Sequence, residues 1–248
     1  MSTPDHSAED FAGRQAPPRR TRNRRARGPR LTGRDEEILR WICRHGVVNA
    51  ELVGRRFFWR PDTKTYGKWA AYRRLRALAD LGLVLNNKPL ADLPAAIRVT
   101  REGARIADVG LRPAPLVVSQ LRHSFAVVVL GEYLLAANPG STLTTERELR
   151  AERYREMRNG NRRTGIGRCP DALLTLPDAG SKPGQTVAIE LDLTRKDRRT
   201  IDAIIRAYDH EPVDAVWWFV APGRVEGIKK IVRSLKADDR IELRPWRG

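Results

Sequence analysis

Cysteine is scarce in this chain, which has only Cys43 and Cys169 among its 248 residues. Their separation does not match a pair of metal ligands, and two such cysteines do not make the framework of a disulfide-rich secreted domain. We therefore expect both thiols to be reduced and the protein to reside in a reducing cytosol.

Long apolar runs are also missing. The most apolar segment, residues 116–137, is interrupted by Gln120, Arg122, His123 and Glu132, whereas a membrane-spanning helix needs about 20 predominantly apolar residues. The N-terminal residues lack the apolar region of a secretory signal. These absences predict a cytoplasmic protein with no membrane partner, in which residues 116–137 form a core helix covered on more than one side.

Acidic residues are few relative to basic ones, since 30 Asp and Glu face 47 Lys and Arg, for a net charge of +17. This balance indicates a polyanionic partner, with nucleic acid before a membrane surface, and a merely soluble basic protein is the alternative. A hydrophobic fraction of 41% in a chain of 248 residues is compatible with one or two globular domains that have a substantial core.

The N-terminal segment, residues 1–30, is predicted to be a disordered basic arm. Residues 11–30 contain eight arginines, three prolines and no acid, so they offer too little apolar surface to offset the entropy lost on ordering. Charge of one sign favours an arm that binds phosphates, with a solubilising tail as the alternative. The arginines assigned to DNA contact are Arg19, Arg20, Arg22, Arg24 and Arg25.

Residues 31–112 are predicted to form a small helical domain. Capping residues stand before its first, second and last helical patterns: Thr32, Asn49 and Thr100. A third helix spans about residues 66–81, and residues 83–85 and 96–99 are expected to pair as a short hairpin. The stripe that the third helix is predicted to bury is Trp69, Tyr72, Leu75, Leu78 and Ala79.

Three short helices and a hairpin are typical of a winged helix-turn-helix, whose third helix enters the major groove of DNA. The segment 31–112 carries 16 Lys and Arg against 9 Asp and Glu, which favours contact with DNA. An ordinary solvated helix face is the alternative. The side chains of the third helix assigned to DNA contact are Lys68, Arg73, Arg74 and Arg76.

Residues 113–248 are predicted to form a second, α/β domain, so that the whole chain is an α+β two-domain protein. Two strands joined by a Gly/Pro-rich hairpin occupy residues 169–193, and Thr194 is expected to cap the helix that follows. A nearly continuous apolar strand over 213–221 should be central and covered on both faces. The β-α-β step from 187 to 221 implies a parallel pair with a right-handed crossover.

Three acids lie in the hairpin segment. Because strand side chains alternate, Glu190 and Asp192 share one face, roughly 7 Å apart, and Asp171 approaches Glu190 if the hairpin pairs in register. Three converging carboxylates form either an oxygen-ligand cation site or a cluster of like charges that basic groups neutralise. The basic neighbours that could do so are Arg195, Lys196, Arg198 and Arg199.

The order of these residues resembles the PD-(D/E)xK nuclease motif: Pro170-Asp171, then Glu190-Leu191-Asp192, then Arg195-Lys196 opening a helix. The resemblance implies a restriction-endonuclease-like core in the second domain, where Asp171 and Glu190 bind Mg²⁺ and a lysine assists the attacking water. Asp192 occupies the position of that lysine and adds a third anion. Lys196 or Arg195 is then left as a migrated basic group.

Together with the winged helix and with His123 in the preceding helix, residues 31–245 are similar to the replication-relaxation family of bacterial plasmids and integrative elements. The resemblance implies a DNA-binding protein that acts in replication, relaxation or mobilisation, located in the cytoplasm on the nucleoid or a plasmid. Its implied partners are duplex DNA and a relaxase or replication initiator, with a homodimer as a candidate assembly. Glu146 is implied near the acids, and His123 is expected only to pack near the sheet.

Two other functions are compatible with the same residues. One is a Mg²⁺-dependent DNA endonuclease or nickase that uses Asp171, Glu190 and Lys196 for catalysis and Asp171, Glu190 and Asp192 as metal ligands. The other is a winged-helix transcriptional regulator, whose second domain serves dimerisation or effector binding. The first requires nicking that depends on the acids, and the second requires a specific operator.

Overall fold

The computed structural model describes residues 30–159, 168–178 and 183–247. The five arginines assigned to DNA contact in the basic arm therefore lie outside the described residues. Within them, the chain is a mixed α/β structure with eight α-helices, one five-stranded sheet and two short hairpins. None of these helices is long and apolar enough to cross a membrane.

The first two helices begin at the predicted caps. Thr32 stands before α1 (Gly33–His45) in a capping box, and the side chain of Asn49 accepts a hydrogen bond from the first turn of α2 (Ala50–Phe57). Gly46 ends α1 with a φ of +81°, a conformation that favours glycine. These boundaries depend on neighbouring residues only, which is why the sequence predicts them.

Six further elements complete the helical part of the chain. In order they are β1 (Trp59–Arg60), β2 (Thr65–Tyr66), α3 (Lys68–Asp80), β3 (Val84–Asn87), β4 (Ala96–Val99) and α4 (Arg101–Ala107). β1 pairs with β2, and β3 pairs with β4 in the predicted hairpin, both antiparallel. The side chain of Thr100 caps α4 as predicted.

The buried stripe of α3 differs from the predicted one. It consists of Ala71, Leu75 and Leu78, whereas Trp69 is 76% exposed and Tyr72 is 46% exposed. The prediction that both aromatic rings are buried is therefore wrong. Since each residue rotates a helix by about 100°, Trp69 lies about 200° from Ala71, on the side that faces solvent.

The sheet lies in the second half of the chain, with the strand order β5-β6-β7-β8-β9. These strands are β5 (Thr142–Thr145), β6 (Ala172–Thr175), β7 (Thr186–Asp192), β8 (Ala215–Val220) and β9 (Ile241–Pro245). The β5–β6 and β6–β7 pairs are antiparallel, and the β7–β8 and β8–β9 pairs are parallel. The predicted β6–β7 hairpin and the parallel β7–β8 pair are therefore both confirmed.

Helices cover both faces of this sheet. The remaining helices are α5 (Leu121–Ala137), α6 (Glu146–Arg158), α7 (Arg198–Ala207) and α8 (Val225–Ser234). α5 packs on the face that carries Ile189, and α7 and α8 pack on the face that carries Ala188. The cap of α7 is Asp197 and not the predicted Thr194, because the Asp197 carboxylate accepts a hydrogen bond from the first turn of α7, 2.8 Å long.

Helix α5 belongs to two cores at once. Its first half, with Leu121, Phe125 and Val128, joins the core of the helical part, and its second half, with Leu130 and Leu134, packs on the sheet. From Leu31 onward the chain accordingly forms one compact unit. The prediction that the helix within residues 116–137 is covered on more than one side is confirmed for α5.

Candidate nucleic-acid interface and the acidic strand

The exposed face of α3 combines cations with aromatic rings. Five side chains form this basic face, and all of them are exposed: Lys68, Trp69, Tyr72, Arg73 and Arg76. No acid lies in the first turn of the helix, and the only acid of α3 is Asp80, its last residue. Backbone N–H groups give a helix N-terminus a positive partial charge, which favours anions. The N-terminus of α3 and the cations of its basic face therefore both attract anions.

Arg74 differs from its neighbours on α3. Its guanidinium donates to both carboxylate oxygens of Asp35, which is 1% exposed. Asp35 also accepts two hydrogen bonds of 2.6 Å from Thr32. Burial acts to raise the pKa of Asp35, but the bonds from Arg74 and Thr32 outweigh it and lower the pKa. The structure thus assigns Arg74 to holding α3 against α1, and not to the DNA contact predicted for it.

The β1–β2 hairpin extends the same kind of surface immediately before α3. Trp59 is 52% exposed, and Arg60 and Lys64 are exposed beside it. Tyr66 anchors the hairpin on α2, because its ring lies so close to Gly54 that a Cβ there would be 2.4 Å from a ring carbon. The hairpin and the basic face therefore stand on the same scaffold of α1 and α2.

In the acidic strand β7, Glu190 is buried and accepts hydrogen bonds from neighbouring side chains. Arg168 donates two hydrogen bonds to it, 2.6 Å and 2.7 Å long, and the hydroxyl of Tyr208 donates a third. Glu190 is 4% exposed, and burial raises its pKa against the opposing bonds from Arg168. Burial and the charge of Glu190 also raise the pKa of Tyr208, so its hydroxyl keeps the donated proton.

Asp192 is paired with two cations. Lys196 Nζ lies 2.5 Å from Oδ1, and Arg224 Nη2 lies 3.1 Å from Oδ2. The residue is 2% exposed. Of the basic residues considered in the sequence, Lys196 pairs with one of the three acids, whereas Arg195 is exposed and Arg198 pairs with Asp202 instead. Lys196 therefore neutralises the third anion here, next to the position that the nuclease motif assigns to its lysine.

Asp171 is held by a histidine and by the backbone. Its Oδ1 lies 2.9 Å from His123 Nε2, and its Oδ2 accepts a hydrogen bond of 2.8 Å from Leu191 N. The bond to Asp171 raises the pKa of His123. Asp171 directly precedes the first paired residue of β6, Ala172, which pairs with Ile189 of β7. Its charge acts to raise the pKa of Glu190, in agreement with the predicted approach of the two acids. His123 thus does more than pack near the sheet, because it bonds one of the three acids.

The three carboxylates are therefore divided among separate partners. Within residues 30–159, 168–178 and 183–247, no group of three or more His, Cys, Asp and Glu is arranged to hold a metal ion. Glu146 lies beside Asp171, whose carbonyl accepts a hydrogen bond from Glu146 N, but the Glu146 carboxylate pairs with Arg150. This arrangement is a network of ion pairs, one of the two alternatives that the sequence leaves open.

Sequence reasoning missed three partners of these acids: Arg168, Tyr208 and Arg224. Arg168 and Arg224 lie 22 and 32 residues along the sequence from the acids to which they donate hydrogen bonds. The local sequence pattern does not predict contacts of this kind. Tyr208 carried a signal, because a tyrosine in a buried stripe needs a hydrogen-bond partner for its hydroxyl. That signal would have pointed to a buried acceptor.

His45, the last residue of α1, packs its ring against an aromatic neighbour. Its ring meets that of Trp41 edge to face, with centroids 4.9 Å apart. Burial, with the charge of Arg44, lowers the pKa of His45 to about 3, so the ring is neutral at physiological pH. The ring of His45 therefore packs against Trp41 and does not act as a cation at the end of α1.

Comparisons of the chain with protein-family models, with curated protein sequences and with solved structures give no match. The assignment of function therefore depends on the exposed basic face of α3, on the charge of the chain and on the state of the acidic strand. The similarity to the replication-relaxation family remains a prediction from the order of the elements and the short acidic motif.

Proposed function

We propose that the protein binds DNA through the basic face of α3, in the manner of a winged helix-turn-helix. The observation that carries the proposal is this face itself, where Lys68, Arg73 and Arg76 are exposed together with no acid among them. α1 and α2 support α3, and the β3–β4 hairpin takes the place of the wing. The arginine-rich arm would add sequence-independent contacts to phosphates.

The proposed setting is a plasmid or integrative element, where the protein acts in replication, relaxation or mobilisation. The sheet, with its antiparallel and parallel strands and helices on both faces, is compatible with the proposed PD-(D/E)xK-like core. A protein with this role would meet duplex DNA together with a relaxase or replication initiator. The net charge of +17 supports a DNA partner before any other.

A salt titration tests the proposal. The full chain is mixed with fluorescently labelled duplex DNA, and the dissociation constant is measured by fluorescence anisotropy over a range of salt concentrations. We expect tight binding at low salt and a steep loss of affinity as salt rises, because each neutralised phosphate adds about −0.9 to the slope of log K against log salt. Absence of duplex binding at low salt, or a flat salt dependence, would refute the proposed helix-turn-helix binding of duplex DNA.

The state of the acidic strand favours binding over cleavage. Glu190 and Asp192 are neutralised by cations that would have to leave before Mg²⁺ could enter. We therefore expect no nicking of supercoiled plasmid in the presence of Mg²⁺ or Mn²⁺. Nicking that is lost in both Asp171→Ala and Glu190→Ala would instead establish the endonuclease alternative, and a footprint confined to one operator would favour the transcriptional regulator.

A further inference from the structure

Two aromatic rings stand exposed among the cations of α3. Trp69 is 76% exposed and Tyr72 is 46% exposed. Their ring centroids are 6.5 Å apart and their planes are inclined by 50°, so the rings are not stacked on each other. A tryptophan side chain buries about 150–250 Å² when it is fully covered. A partner that covers these rings would therefore remove a large apolar surface from water.

The surroundings of the rings restrict the chemistry of that partner. Lys68 precedes Trp69, and Arg73 follows Tyr72, so the covering group must be compatible with positive charge on both sides. A ligand that carries phosphates and flat apolar surfaces together meets both requirements, and nucleic-acid bases have these properties. In an intact duplex the faces of the bases are stacked on one another, and the grooves expose mainly polar base edges.

We propose that Trp69 and Tyr72 are a stacking platform for unpaired bases, so that the protein prefers single-stranded or locally melted DNA to intact duplex. This inference rests on the proposed DNA binding and specifies the form of DNA. Aromatic side chains in a positively charged groove are the common means of binding single strands, since every base offers a face for stacking. Arg73 and Arg76 would hold the phosphates of the strand whose bases lie on the rings.

The experiment compares three fluorescent probes with the full chain: an oligothymidine of about 16 nucleotides, the upper end of known single-strand site sizes, an intact duplex, and the same duplex with a central unpaired bubble. The variants are Trp69→Ala, Tyr72→Ala and Trp69→Phe. Tyr133→Ala is the matched control, because Tyr133 is an aromatic residue of α5 that is 59% exposed. All three positions are exposed, so circular dichroism should show all four variants folded.

We expect wild-type protein to bind the single strand and the bubble more tightly than the duplex. Trp69→Ala and Tyr72→Ala should each weaken single-strand and bubble binding about 10-fold, as expected for the loss of one stacked base, and should change duplex binding little. Trp69→Phe should recover most of the loss, since phenylalanine also stacks, and Tyr133→Ala should behave like wild type.

Two results would overturn the platform while leaving DNA binding intact. One is a wild-type protein that binds duplex tightly and the oligothymidine weakly. The other is a loss in Trp69→Ala that is equal for all three probes, which would indicate a groove contact. A protein that binds none of the probes at low salt would instead reject the proposed function itself, so the two failures are distinguishable.

Discussion

At the scale of single residues, neighbours in sequence have opposite roles on α3. Arg73 is exposed on the basic face, whereas Arg74 donates to the buried carboxylate of Asp35. The sequence does not distinguish the two positions, which are adjacent arginines in one helix. What distinguishes them is the contact of Arg74 with Asp35 of α1, which lies 39 residues earlier in the sequence. Helical periodicity does not predict a contact between residues so far apart in sequence.

The pair Arg74 and Asp35 yields a stability prediction. Arg74→Ala leaves a carboxylate that is 1% exposed without its cation, and we expect the free energy of unfolding to fall by about 3 kcal/mol. Arg73→Ala is the control and should change it by less than about 0.5 kcal/mol, as is usual for an exposed position. Urea unfolding followed by circular dichroism measures both, and equal effects would contradict the assigned roles.

His123 and Asp171 predict a dependence of stability on pH. The bond to Asp171 raises the pKa of His123 in the folded state, with Glu146 acting in the same direction and burial and Lys196 against it. A histidine whose pKa is higher in the folded state contributes its full stabilisation below its pKa in the unfolded state, about 6.5. This stabilisation is lost as pH rises through its pKa in the folded state.

The pH series therefore compares wild type with His123→Gln, which keeps a polar group but does not titrate. The difference between their free energies of unfolding should be largest in mildly acidic solution and should shrink as pH increases above neutrality. A difference that stays constant, or that grows with pH, would show that the ion pair of His123 with Asp171 does not form in solution.

At the scale of elements, glycine positions test how α4 meets the β3–β4 hairpin. A Cβ at Gly103 would lie 2.0 Å from the carbonyl oxygen of Leu83, so α4 packs directly on the backbone of the chain before β3. Gly227, in α8, has no atom within 4 Å of such a Cβ. The two glycines are therefore a matched pair with opposite expectations.

Gly103→Ala should destabilise the protein by about 3 kcal/mol, because backbone atoms must move to admit the methyl group. Gly227→Ala should stabilise it by about 0.5–1 kcal/mol, since alanine is the better helix former where space is open. Thermal or urea unfolding of both variants checks the signs. Stabilisation by Gly103→Ala would show that α4 does not approach Leu83 so closely.

The elements also show what could be predicted from the sequence. The caps Thr32, Asn49 and Thr100 are correct because capping uses residues within a few positions of the helix end. The prediction that Thr194 caps α7 is wrong, because the carboxylate of Asp197, three residues later, is the cap. The burial of Trp69 and Tyr72 is wrong because apolar character alone predicts a core position, whereas here the rings lie on the exposed face.

At the scale of the whole molecule, the helical part and the sheet are held together by polar contacts as well as by α5. Arg44, near the end of α1, bonds Glu148 at 2.7 Å and the carbonyl of Leu143 at 2.5 Å. Thr145 donates back to the carbonyl of Arg44 at 2.9 Å. The basic face of α3 is therefore presented on a scaffold that is joined to the sheet part through α1 and α5.

The central claim is that the basic face of α3 holds DNA, and one comparison tests it directly. The triple variant Lys68→Ala, Arg73→Ala, Arg76→Ala removes the cations of this face. The control triple, Arg206→Ala, Lys230→Ala, Arg233→Ala, removes the same charge from exposed positions on α7 and α8. The measurement is the affinity of each for labelled DNA across a salt series.

The α3 triple should bind much more weakly than wild type, and its salt slope should be smaller in magnitude by about 3, one unit for each lost phosphate contact. The control triple should keep the wild-type slope, because its charges lie away from the proposed contact. Equal losses in the two variants, or full affinity in the α3 triple, would contradict the assignment of α3 as the DNA-binding element.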